Sequence, residues 1–71
     1  MEVLVFTTSV QSKEQVKSLA PLIDSLAGKE RWNFALDDCD RILRIVSDKV
    51  EPTAAIHLLR QNGYWCQELR H

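Results

Sequence analysis

Apolar residues crowd the first segment on both of its alternating faces. Residues 2–8, Glu-Val-Leu-Val-Phe-Thr-Thr, are rich in β-branched and aromatic types, a composition that packs well on a pleated surface. Leu4 and Phe6 fall on one face and Val3 and Val5 on the other, so a central strand is expected. The period then changes. Val16, Leu19, Ala20, Ile23, Leu26 and Ala27 recur at helical spacing. Ser12 stands three residues before Gln15, the spacing of a capping box, and Gly28 supplies a stop. Pro21 lies inside this run and has no amide for the Lys17 carbonyl, which predicts a kink or a local break.

Alternation returns with Trp32, Phe34 and Leu36 set between Asn33, Ala35 and Asp37, the mark of a half-buried strand. After a polar turn at Asp38, Cys39 and Asp40, residues 41–46 predict another strand. Leu43 and Ile45 share one of its faces, and Ile42, Arg44 and Val46 the other. The short connection makes the two strands a hairpin. Pro52 suits the first turn of a second helix, where a missing amide costs nothing. Ala55, Ile56 and Leu59 form its buried stripe, and Asn62-Gly63 ends it. Residues 64–69 predict a last short strand.

The order βαββαβ has a common solution, the ferredoxin-like α+β fold. A four-stranded antiparallel sheet carries both helices on one face, with strands one and three in the centre. Residues 1–71 then form a single domain. This topology gathers the loop at 7–12 and the junction at 63–65 at one end of the sheet, so Ser9, Ser12 and Tyr64 are expected as neighbours. Cys39 and Cys66 are expected near opposite edges, too far apart for a disulfide, which needs Cα atoms within about 7 Å.

Composition narrows the field. The 71 residues carry a formal net charge of −1, which gives no broad attraction to nucleic acid or anionic lipid. No apolar stretch approaches the roughly 20 residues of a membrane span. The first ten residues have neither a basic segment nor a small-residue cleavage site, so no signal peptide is expected and the cytoplasm is the expected location. The two cysteines are expected to be free thiols in a reducing compartment.

Several segments resemble the heavy-metal-associated domain, the module of copper chaperones and of the cytosolic tails of metal-pumping ATPases. Glu51-Pro52 opens the second helix as an Asp-Pro pair does in that family. Leu59-Arg60-Gln61-Asn62-Gly63-Tyr64 closes it in the family's manner, and Trp32, Phe34 and Leu36 match its alternating second strand. The family's Met-Thr-Cys-x-x-Cys loop corresponds here to Thr7-Thr8-Ser9-Val10-Gln11-Ser12, with Ser9 and Ser12 on the two cysteine positions. The resemblance implies a metal carrier, but the ligands have changed. Thiolates select Cu(I) and Zn(II), and neutral hydroxyls are poor ligands for either. Serine at a helix start caps the helix instead.

Other candidate ligands are sparse. Tyr64 is expected at the rim of the degenerate loop, as a packing residue. Cys66 is expected to face the core as a small apolar residue. Cys39 sits among Asp37, Asp38 and Asp40, where one thiol and three carboxylates could hold a divalent ion only weakly. No pair of His or Cys has ligand spacing, so neither a bound metal nor a cofactor is expected. No nucleophile has a base beside it and no glycine-rich phosphate loop exists, so an enzyme is not expected. Outward positions on the central strands hold Val3, Val5, Ile42 and Val46 rather than base-stacking aromatics, which argues against RNA binding. A small-molecule sensor of the same topology would need loop glycines that this chain lacks.

The uncovered sheet face is the most informative surface. Val3, Val5, Ile42, Val46, Trp65 and Leu69 are expected there around Arg44, as one patch for a protein partner or a second copy. The expected function is a non-catalytic interaction module that has lost its thiol metal site. The alternative is a copper- or zinc-binding carrier using other ligands.

Overall fold

The structure, a computed structural model, describes residues 3–36 and 41–69. Six elements follow in order: β1 (Val3–Thr8), α1 (Lys13–Ala27), β2 (Trp32–Ala35), β3 (Ile42–Val46), α2 (Pro52–Gln61) and β4 (Cys66–Glu68). The strands make one antiparallel sheet in the order β2-β3-β1-β4. This is the ferredoxin-like arrangement, with β1 and β3 central as the apolar character of both their faces requires.

Strand pleating decides which residues form the core. Leu4, Phe6, Leu43 and Ile45 point to one face and are buried there. Leu19 and Ile23 of α1 and Ala55 and Leu59 of α2 complete the same cluster, so both helices cover that face. The expected stripes are therefore in place. Two further core residues come from loops, Val10 and Val50.

The ends of the elements carry the corrections. Of the kink or local break expected at Pro21, the break does not occur: α1 runs unbroken from Lys13 to Ala27 with Pro21 inside it. Pro21 is on the exposed side, where the carbonyl it leaves unbonded can turn to water. Leu19 and Ile23, each 1% exposed, pin the helix on either side of it. Gly28 ends α1 at φ 95°, its amide donating to the Asp24 carbonyl at 2.8 Å.

Arg41 does not start β3. It has φ 52°, and its guanidinium donates to the Leu36 carbonyl at 2.7 Å. Strand β4 is also shorter than residues 64–69. It spans Cys66–Glu68, and it starts late because the Trp65 amide leaves the ladder to donate to the Ser9 side chain. Helix α2 ends in a full Schellman motif. Tyr64 N–H donates to the Leu59 carbonyl at 2.9 Å and Gly63 N–H to the Arg60 carbonyl at 3.1 Å, with Gly63 at φ 89°.

Candidate functional site

The β1–α1 loop is held at Thr8, Ser9, Val10 and Ser12, and by a bond between Gln11 and Gln15. Thr8 is buried, and its hydroxyl donates to the Arg41 carbonyl at 2.7 Å while accepting from the Val10 amide at 3.3 Å. Val10 is fully buried in the core. Ser9 is exposed and exchanges bonds with Trp65: its amide donates to the Trp65 carbonyl at 3.1 Å, and its Oγ accepts from the Trp65 amide at 2.8 Å. Ser12 is the N-cap of α1, its Oγ accepting from the Gln15 amide at 3.2 Å. The Gln15 side chain reaches back one residue further than a capping box requires, to the Gln11 amide at 2.7 Å.

Ser9 and Ser12 thus serve different structural ends. Ser12 caps a helix, and Ser9 clamps the approach to β4. Each Oγ accepts a backbone N–H, so one lone pair of each hydroxyl is engaged. Tyr64, next in the chain to Trp65, is half-buried and packs against the core. Ser9 is therefore close to the α2–β4 junction as expected, whereas Ser12 bonds within its own helix.

Cys66 is fully buried and free. Burial pushes its thiol up to about 11, an effect that Arg60 opposes electrostatically. A thiol so disposed is a core residue, as expected, and is protonated at neutral pH. Cys39 lies outside the described residues. Among the described residues no group of three or more His, Cys, Asp or Glu side chains is placed to hold a metal ion. None of the described helices is long and apolar enough to cross a membrane.

The open sheet face is ordered by register into rows. Val3 pairs with Val46. Leu69 lies against Val5, its amide donating to the Val5 carbonyl at 2.8 Å, and the row continues through Arg44 to Asn33. The next row is Gln67, Thr7, Ile42 and Ala35. Trp65 stands beyond it, beside Ser9. Val3 is 57% exposed, Trp65 48% and Leu69 37%. Val5 and Val46 are half-buried and Arg44 is exposed. Two features differ from the expected patch. Ile42 is on this face by register but only 5% exposed, so it offers little surface. Gln67 and Thr7 interrupt the apolar surface between Leu69 and Trp65.

A second surface was not foreseen. On the helix side, Trp32, Phe34 and Leu36 meet Lys13, Val16 and Lys17 of α1 across an open groove of about 610 Å³. Trp32 and Phe34 contact edge to face, with centroids 5.9 Å apart and planes at 84°. The Trp32 indole N–H donates to Asp24 Oδ1 at 2.7 Å, which fixes the ring. Alternation in the sequence reveals the strand's inward face, but not that α1 stops short of covering it. Compared with protein-family models, curated proteins and solved structures, the chain matches none.

Proposed function

We propose that this chain is a non-catalytic interaction module that docks another protein, or a second copy of itself, on its open sheet face. The observation that carries this reading is the exposure of Val3, Trp65 and Leu69 on the one face that no helix covers. Apolar groups of that size exposed on one face favour association, even with Gln67 and Thr7 set between Leu69 and Trp65. Arg44 is the charged residue of the central strands on that face, and its guanidinium would give a partner a polar fixed point.

The kinship proposed with heavy-metal-associated domains follows from the helix-two and loop motifs, on a fold of the same element order. In this reading Ser9 and Ser12 took over positions that hold thiolates in those domains, and their hydroxyls now brace the loop. The alternative of a metal carrier would have to find soft ligands elsewhere.

The test is site-specific photo-crosslinking in cells. A photoreactive residue at position 65 should yield discrete adducts, and the same residue in place of exposed His57 on α2 should not. Val5→Asp should suppress the adducts by placing a charge in the contact. The mass of each adduct, with sedimentation of the purified chain, tells a second copy from another protein. Adducts of equal yield at both positions, or none at position 65, would remove the reading.

A further inference from the structure

We propose that the groove between α1 and β2 accepts an extended acidic peptide segment, which adds to the sheet as a strand beside β2. This surface is on the opposite side of the sheet from the one discussed above, and the proposal does not depend on it.

The first argument is the state of the edge. Among the described residues, β2 is hydrogen-bonded to β3 alone. The Val46 amide donates to the Arg31 carbonyl at 2.8 Å. Alternation then turns the peptide groups of Asn33 and Ala35 toward β3 and those of Trp32 and Phe34 toward the free edge. Natural edges are blunted by charge, proline or brevity. Within Trp32–Ala35 there is no charge and no proline. The other edge is better protected, since β4 has three paired residues, one of them Glu68.

The second argument is what an added strand would meet. Its alternate side chains would project to the helix side, over Trp32 and Phe34 and beneath α1. There they find an apolar floor whose tryptophan is already fixed by Asp24, so little ordering is required on binding. The wall on the α1 side carries Lys13 and Lys17, one helical turn apart and both exposed. Neither makes an ion pair with a described residue. A carboxylate midway along the added strand would satisfy them. Charge also speaks against a second copy in this place, since pairing two β2 edges would bring two lysine-bearing walls together. Strand addition thus supplies affinity through the backbone, and the apolar floor with its cationic wall supplies selectivity.

The probe is the blocked peptide Thr-Ile-Thr-Glu-Thr-Ile-Thr, which presents Ile, Glu and Ile on one face. Titrated into the isotope-labelled chain at up to millimolar concentration, it should shift the amide resonances of Trp32, Phe34 and Lys17 and leave Trp65 and Leu69 in place. The peptide with Lys for Glu should bind about fivefold more weakly, the range for exposed charge pairs. The double variant Lys13→Glu, Lys17→Glu should reverse that preference. N-methylation of alternate peptide amides should abolish binding by removing the strand's donors. Equal binding of the Glu and Lys peptides, full binding of the methylated one, shifts confined to the open face, or no shifts at all would each overturn the proposal.

Discussion

Ser12, Ser9 and Cys66 are the residues on which the chemistry of this chain turns, and each makes a measurable claim. Ser12 satisfies one of the free amides at the start of α1. Its replacement by alanine should cost about 1 kcal/mol, read as a lower denaturant midpoint in Ser12→Ala. Ser9 acts across a separation of 56 residues. Ser9→Ala should instead loosen the β4 end of the sheet, seen as altered resonances at Trp65 and Cys66 with α1 unaffected. For Cys66 the claim concerns pH. Its thiol ionises near 9.0 in the open chain and at about 11 when buried. Between these values the unfolded chain has lost the proton and the folded chain retains it. Stability attributable to this group is thus whole below the lower value and falls as pH rises toward the upper one. Urea melts of the wild type and Cys66→Val across that interval should show a steeper decline for the wild type. Parallel declines would mean that the thiol ionises alike in both states.

At the scale of the elements, α1 and α2 solve opposite problems. α1 has good caps and a flaw in its middle, since Pro21 removes one hydrogen bond from an otherwise continuous helix. Pro21→Ala restores the donor at an exposed position and should stabilise the chain by about 1–3 kcal/mol, measured by thermal and urea melts. α2 has a sound middle and a weak start, because its N-cap Glu51 makes no side-chain capping bond. Its end depends on the left-handed backbone at Gly63. A Cβ there would meet nothing within 4 Å, so Gly63→Ala should show the backbone cost alone, about 1 kcal/mol. The loop between β1 and α1 gives a test of its ancestry. If Ser9 and Ser12 hold former thiolate positions, Ser9→Cys with Ser12→Cys should retain copper(I) against a chelator when the wild type does not. Failure of the double variant to outcompete the wild type would break the proposed correspondence.

At the scale of the whole molecule, the fold follows from two periodicities and a chain order. Leu4 with Phe6, and Leu43 with Ile45, announce their shared face because one residue in two must be buried. Leu19 and Ile23 announce theirs at helical spacing. What alternation cannot reveal is any contact made by a residue outside a regular element. Val10 and Val50 are buried from loops, and Thr8 joins the end of β1 to Arg41 through a side chain. The start of β4 was decided by Ser9, far away in sequence. The open face was legible residue by residue, since pleating assigns Val3, Val5, Arg44 and Val46 to it. The same alternation puts Thr7 beyond Val5 and Gln67 between Trp65 and Leu69; that these two polar residues meet side by side depends on the register of β4 against β1. The α1–β2 groove was hidden for a similar reason. The separation of two packed elements is a property of the assembled core, not of either segment.

The brevity of β4 also sets where the molecule breathes. Three paired residues at a border hold far fewer bonds than β3, which is bonded along both flanks. In deuterated solvent, the amide of Gln67, the one of the three that faces β1, should therefore exchange well before those of Leu43 and Ile45. Peeling of this border would bare the Cys66 sulfur without melting the centre, so that a thiol inert in the closed form becomes a clock for the opening of one strand.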